Sequence, residues 1–374
     1  MKTVMRWASP WLVLLLVAAA DSSAEKLFRQ WDRNKDGRLA ESELPGSARK
    51  NFRRVDTNRD GFISLEEHVR FLRRRPRLPK GVKAVTDRDY VGDDNPRHRL
   101  DLLLPSRRPA DRRLPVLVYI HGGGWQNGDK RTGLGRVAGF VAGGRYIGVT
   151  IGYRLTDEAQ WPAQIHDCKA AIRWLKANAA RYGIDPDRIA VYGHSAGGHL
   201  AAMLGVSGGV KQLEGSLGPH AKFDSRVAAV VDCFGPTDFL KMNDFPSRID
   251  HDAANSPESK LVGGAIQEHP ERCRQASPLA YVTSDDAPFL VVHGTRDQVV
   301  AYNQSELLKE SLERAKVPVG LLTVKNGGHG LGGPVLNARV RAFLEHRFYR
   351  RGVAPKHETL SSDALKRRSK KTGS

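Results

Sequence analysis

Cysteine is scarce: Cys168, Cys233 and Cys273 are the three in 374 residues, and they lie far apart. So few thiols exclude a disulfide-stapled small fold, and their spacing excludes a thiolate metal site. One bridge with a free thiol and three free buried thiols both remain open. Acidic side chains are also in deficit, 41 against 60 lysines and arginines, which leaves a formal charge of +19. Beyond the first twenty residues no apolar run is long enough to span a bilayer. At 40% hydrophobic, the chain is nevertheless rich enough to build a core, so it is not a disordered polyelectrolyte. Its 37 glycines show no tripeptide period, which excludes a collagen-like chain. What remains is a length suited to one large domain and something smaller.

The N-terminus carries Lys2 and Arg6, then the apolar run Trp11–Ala20, then Ser22-Ser23-Ala24. That is the basic, apolar and small-residue order of a secretory signal peptide over 1–24. The run is about half the ~20 residues a membrane span needs, so the expectation is a secreted or periplasmic protein without a membrane span.

Two twelve-residue stretches follow the same rule. In Asp32–Glu43, oxygen donors Asp32, Asn34, Asp36 and Glu43 fall at positions 1, 3, 5 and 12, with Gly37 at 6. In Asp56–Glu67 the set is Asp56, Asn58, Asp60 and Glu67, with Gly61 at 6 and Ser64 at 9. This is the EF-hand pattern, in which the position-7 carbonyls of Arg38 and Phe62 complete a hard-cation shell around Ca²⁺. Loop one has Ala40 at position 9 and basic residues inside it, so loop two is expected to bind more tightly. Both are expected to be weak sites, roughly 10⁻⁴–10⁻³ M. The loops start only 24 residues apart (32 and 56), which leaves room for short helices and argues for a structural module. The pair resembles short EF-hand pairs appended to secreted bacterial proteins.

The stretch 70–80 holds six basic residues, two prolines and no acid, and reads as a linker. Beyond it, Lys83–Val91 and Arg99–Leu104 read as two strands. Six short apolar runs then alternate with helical stretches: Val116–Ile120, Tyr146–Ile151, Ile189–Tyr192, Val227–Val231, Phe289–Val292 and Leu321–Val324. The helix 164–181 is the clearest cover. The pattern predicts an eight-stranded, mostly parallel sheet with helices on both faces, preceded by a small all-α EF-hand pair. The expected divisions are a signal peptide over 1–24, the EF-hand pair over 25–75, a large α/β domain over 76–352 and a basic disordered tail over 353–374.

The run Ile189–Tyr192 leads into Gly193-His194-Ser195-Ala196-Gly197, a G-x-S-x-G turn between strand and helix that lifts a serine nucleophile clear of a sheet. His121-Gly122-Gly123-Gly124-Trp125 follows another strand. Consecutive glycines expose backbone N–H groups, so Gly123, Gly124 and Ala196 are the expected oxyanion donors. No Gly-Lys-Ser/Thr accompanies them, which argues against a phosphate loop. Asp297 and His329 follow the last two strands, completing the order Ser195, Asp297, His329 of an α/β-hydrolase triad. Asp238 is the competing acid, and His194, His199 and His293 are expected to be structural.

These motifs, together with Tyr153-Arg154-Leu155, Trp161-Pro162-Ala163, Asp167, Tyr182–Arg188 and Ser277-Pro278, resemble the α/β-hydrolase esterases of the hormone-sensitive-lipase group. More narrowly, the chain is similar to bacterial bifunctional feruloyl and acetylxylan esterases. The resemblance implies a serine carboxylesterase that needs no cofactor for catalysis and acts on acetyl or feruloyl esters of plant-type polysaccharide. It places Trp125 at the mouth of the substrate site and makes the polar stretch 236–288 an insertion above it. Two other readings are a peptidase or arylformamidase of the same fold and a catalytically silent calcium-binding protein. The first lacks the propeller repeat such peptidases commonly carry; an intact triad argues against the second. The excess charge gathers in 70–80, 97–113 and 355–374, with no aromatic-interleaved groove, so nucleic acid is not the expected partner. Weak attraction to anionic polymers is.

Overall fold

The computed structural model describes residues 24–25, 27–49, 51–73, 78–108 and 112–366; the leader, apart from Ala24, lies outside the described residues. The chain divides into two compact units, Met1–Arg77 and Leu78–Ser374. The boundary falls two residues beyond the expected one. The helix Leu65–Arg73 also runs into the stretch expected to be linker.

In the first unit, β1 (Arg38–Leu39) and β2 (Ile63–Ser64) pair antiparallel, with Leu39 opposite Ile63. These are the position-8 residues of the two loops. Both are buried and pack with Phe28, Leu44, Phe52 and Val55 in a small core. The helices between the loops, Gly46–Arg49 and Phe52–Val55, have four residues each, as the close loop spacing requires.

The second unit is built on one sheet of nine strands. These are β3 (Val82–Asp89), β4 (Arg99–Pro105), β5 (Leu114–Ile120), β6 (Ile147–Ile151), β7 (Ile184–His194), β8 (Ala229–Cys233), β9 (Phe289–Gly294), β10 (Val319–Lys325) and β11 (Glu358–Ser361). The order across the sheet is β11-β10-β9-β8-β7-β5-β6-β4-β3. All neighbours are parallel except β4, which runs antiparallel to both β6 and β3. Every residue of β5, β6, β8 and β9 is buried, as parallel strands covered on both faces must be. Period-two alternation divides β5 between the layers: Val116, Val118 and Ile120 pack on one side with Ile165, Leu200 and Leu308. Leu117 and Tyr119 pack on the other with Leu134, Phe140 and Leu344. The expected helix 164–181 is Ala163–Ala177 followed by a separate turn, Ala179–Tyr182.

The ninth strand corrects the expectation of a disordered tail. Glu358–Ser361 extends the sheet in parallel register with Leu322–Lys325. Glu358 takes a two-pronged salt bridge from Arg339 at 2.6 Å on each oxygen. Leu365 then buries against the second core layer. Residues 367–374 lie outside the described residues.

Cys168, Cys233 and Cys273 are all free and buried, which settles the cysteine alternatives. Among the described residues no helix is long and apolar enough to cross a membrane.

Candidate functional site

Ser195 sits between β7 and the helix Ala196–Val206 with φ 55° and ψ −126°, a backbone state that costs a non-glycine residue ~1–3 kcal/mol. The flanking glycines let the chain adopt it. A Cβ at Gly193 would lie 1.9 Å from the Gly197 carbonyl oxygen, and one at Gly197 would lie 2.2 Å from that of Ile120. The turn is pinned to the neighbouring strand by the Ser195 N–H, which donates to the Cys233 carbonyl at 2.9 Å.

The Gly122–Gly124 loop follows β5, next to β7 in the sheet. Gly122 lies against the nucleophile: a Cβ there would be 3.3 Å from Cβ of Ser195. Among the described residues no protein acceptor takes the N–H of Gly123, Gly124 or Ala196, the three expected oxyanion donors. His121 fixes the base of this loop. Its ring stacks on Tyr153 at 4.2 Å, and the Tyr153 hydroxyl donates to its carbonyl at 2.9 Å.

Asp297 and His329 follow β9 and β10. Nδ1 of His329 is 2.8 Å from Oδ2 of Asp297, and the imidazole side chain remains 23% exposed. Oδ1 of Asp297 accepts the N–H groups of Val299 (2.9 Å) and Val300 (3.1 Å). Burial works against the charge on Asp297, but hydrogen bonds from His293 and His329 outweigh it and hold the carboxyl well below the usual carboxylate range. The competing acid, Asp238, is engaged elsewhere: it caps the turn Phe239–Lys241 through the Leu240 N–H. Phe234, the residue after β8, closes the group. Its ring meets that of His329 at 4.6 Å, while the preceding carbonyl holds the Ser195 turn.

The structural histidines divide into two kinds. Burial pushes His194 down to about 3 and His199 to about 4, so both are neutral packing groups. His293 is buried beside the acid: its Nε2 lies 2.9 Å from the Val300 carbonyl and 3.2 Å from Oδ2 of Asp297, and its Nδ1 pairs with Ser305 Oγ at 2.7 Å. Its four-residue spacing from Asp297 was the available signal.

Trp125 does not reach the mouth of the site. It is 1% exposed, and its indole N–H donates to Nδ1 of His199 at 3.2 Å. It backs the glycine loop from inside, so its role is support. The insertion between β8 and β9 does cover this region. Pro257 lies 3.3 Å from where a Gly124 Cβ would be, Lys260 Nζ donates to Gln126 Oε1 at 2.9 Å, and the Ala276 carbonyl pairs with His199 Nε2 at 2.6 Å.

In the EF-hand unit the loop carboxylates fold onto their own backbones. Glu43 accepts from Arg33, Asn34 and Ala40, and Asp32 from Asp36 and Gly37. Glu67 accepts from Thr57, Asn58 and Ser64. Desolvation opposes its charge, but the Ser64 and Thr57 bonds win and bring the carboxyl to about 2. Among the described residues no three acidic, histidine or cysteine side chains converge as a ready-made metal site. Loop two does offer a buried carboxylate oxygen, Asp56 Oδ1, with no hydrogen-bond partner. A cation fits there. Loop one has no such atom among the described residues.

Comparison with known proteins agrees with this geometry. The BD-FAE family model matches residues 100–312, and an EF-hand model matches 50–72. Esterase LipC of Mycobacterium tuberculosis is 35% identical over 262 residues, covering 68% of this chain and 63% of that protein. The chain spans roughly half to just under two thirds of the curated relatives LipC, LipM and LipQ, at 63%, 46% and 51%. Among solved structures, a truncated carbohydrate esterase from gut microbiota is 34% identical with a TM-score of 0.67, over 73% of this chain and 99% of that one. A bifunctional GH43-CE protein of Bacteroides eggerthii is 32% identical with a TM-score of 0.64, over 71% and 38%. With more than half of its length matched by the family model and this sheet beneath the site, the chain belongs to the BD-FAE family of hormone-sensitive-lipase-like esterases, on an α/β-hydrolase fold.

Proposed function

We propose that the protein is a secreted or periplasmic serine carboxylesterase that removes acyl groups, acetyl or feruloyl, from plant-type polysaccharide. The observation that carries the chemistry is the Asp297–His329 pair, linked through the Cys233–Phe234 segment to the Ser195 turn and its row of backbone N–H groups with no protein acceptor. Ser195 Oγ attacks the ester carbon while His329 takes its proton through Nε2. Asp297 holds Nδ1–H and stabilises the imidazolium as it forms. The amides of Gly123, Gly124 and Ala196 receive the oxyanion. His329 returns the proton to the departing alcohol, and a water activated by the same histidine then releases the acid from Ser195.

The carbohydrate side of the reading is supported by the two carbohydrate-esterase likenesses and by the leader-like N-terminus. The second EF-hand loop is proposed to hold Ca²⁺ through Asp56, Asn58, Asp60, the Phe62 carbonyl, Ser64 and Glu67, with loop one (Asp32, Asn34, Asp36, the Arg38 carbonyl, Glu43) the weaker site. A bound cation there would neutralise clustered carboxylates and stabilise the small unit. Attraction of the basic segments to uronic-acid polymers is a further expectation, read as salt-sensitive retention on such a matrix.

The test is a panel of acetylated xylan, methyl ferulate, longer acyl esters and p-nitrophenyl acetate. Higher kcat/KM on acetylated xylan or methyl ferulate than on the longer esters supports the reading. A preference for long acyl chains contradicts it.

A further inference from the structure

The insertion between β8 and β9 carries a buried acid–base pair that the triad does not touch. His251 is 1% exposed and Glu258 is 2% exposed. Nδ1 of His251 lies 2.9 Å from Oε2 of Glu258, while Nε2 lies 3.0 Å from the Val299 carbonyl oxygen and 3.3 Å from Ser247 Oγ. A carbonyl oxygen only accepts, so Nε2 carries a proton. The Ser247 hydroxyl donates to the Gln298 carbonyl at 3.1 Å and is left to accept from the ring. Nδ1 faces a carboxylate. An imidazolium donating Nδ1–H to the Glu258 carboxylate and Nε2–H to the Val299 carbonyl satisfies every partner.

The acceptor of that bond is part of the catalytic acid's own loop. The Val299 carbonyl belongs to the same peptide unit as the Val300 N–H, which donates to Oδ1 of Asp297 at 3.1 Å. A charged donor on the oxygen of an amide polarises it and strengthens donation from its nitrogen. A continuous chain therefore runs from Glu258 through His251 and the 299–300 peptide to Asp297, and on to His329. Glu258 sits on the helix Pro257–Val262, whose Pro257 and Lys260 meet the oxyanion loop at Gly124 and Gln126. The same short helix is thus tied to the acid loop and to the glycine loop.

We infer that His251 is a positioning residue for Asp297, acting through the Val299–Val300 peptide, with Glu258 holding the imidazole doubly protonated. The inference rests on the serine-triad reading of the site. The charged groups facing His251 are Glu258 from the cap helix and Asp252 in its own turn, with Asp297 beyond the peptide on the acid loop. Burial disfavours the imidazolium, yet Glu258, the Val299 carbonyl and Asp252 together raise His251 above the ordinary histidine range. Because the folded-state value is raised, the network is present on its acid side and is lost as pH climbs through it. Loss of the His251 proton then gives kcat an alkaline limb that belongs to His251.

The experiment is the kcat–pH profile on p-nitrophenyl acetate for wild type, His251→Gln and Glu258→Gln, each checked for a cooperative melt. His251→Gln keeps a neutral donor; its kcat falls about fivefold at neutral pH, within the range of positioning effects, and its alkaline limb disappears. Glu258→Gln removes the counter-ion and moves the alkaline limb to lower pH. An alkaline limb unchanged in either folded variant overturns the inference, and if His251→Gln does not fold, the Glu258→Gln shift alone decides. Ser195→Ala in the same assay separates two failures. Full activity there would bring down the triad reading; an inactive Ser195→Ala beside unaltered cap-variant profiles would bring down the His251 role alone.

Discussion

Asp297 and Asp56 are both buried carboxylates at the ends of short structural elements, yet one is finished by the protein and the other is not. Asp297 receives two backbone amides on Oδ1 and two imidazoles on Oδ2. Asp56 has one oxygen on the Gly61 N–H and leaves the other buried without a partner. A carboxylate saturated with protein donors is ionised, oriented and ready for proton chemistry. A buried carboxylate oxygen left open is costly unless a donor or cation meets it. The contrast separates the two units by chemistry: in one a buried carboxylate is satisfied by protein donors, and in the other a buried carboxylate oxygen is left without one.

The largest expected effect breaks the first half of this contrast. Asp297→Asn keeps the shape but forces the wrong imidazole tautomer, and kcat on p-nitrophenyl acetate should fall by roughly 10³–10⁴. Asp238→Asn should change it less than about threefold, since its carboxylate caps a turn and pairs loosely with Lys241 at 4.0 Å. Comparable losses in the two variants would reassign the acid.

A proton-coupled effect comes next. Burial lowers His121 and His199 to about 4 and His194 to about 3. The unfolded chain therefore binds protons that the folded one refuses as pH drops from about 6.5 toward 4, and stability must fall across that window. Melting temperature against pH should decline there with a slope of up to about three protons per chain. A flat profile would mean that these rings are not held neutral.

Chelation probes the other half. Removing calcium should lower the melting temperature of the EF-hand unit by about 5 °C, a shift expected of ~1 kcal/mol in a small domain. Turnover by the folded enzyme should be unaffected. Asp56→Ala should abolish that sensitivity, while Asp32→Ala should leave most of it. A local effect is expected at Trp125, confined to stability. Trp125→Phe leaves His199 Nδ1 without its donor and should cost ~1–3 kcal/mol of stability, read by denaturant unfolding, with KM little changed. A large rise in KM would restore Trp125 to the mouth of the site.

Much of the molecule could be read before it was folded, and for a shared reason: the legible parts are those where a local motif and its chemistry coincide. The EF-hand loops, the G-x-S-x-G turn and the glycine run are set by short spacings, and the candidates Ser195, Asp297 and His329 by their order after successive strands. The strand cores were legible because parallel strands buried on both faces show as apolar runs. What escaped depends on long-range packing. β11 is a four-residue edge strand in a basic segment, secured by Arg339 and Leu365 rather than by its own pattern. Trp125 turned inward because His199, 74 residues away, offers its indole an acceptor. The His251–Glu258 pair has no motif of its own, since its partner is a carbonyl on another loop.

The most direct measurement is the initial rate of p-nitrophenyl acetate hydrolysis by wild type and Ser195→Ala, each with and without chelator, at a temperature where both are folded. The wild-type rate should be indifferent to chelator, and Ser195→Ala should lose at least ~10³-fold. A Ser195→Ala rate equal to wild type, or wild-type turnover abolished by chelator in a protein that stays folded, would contradict this.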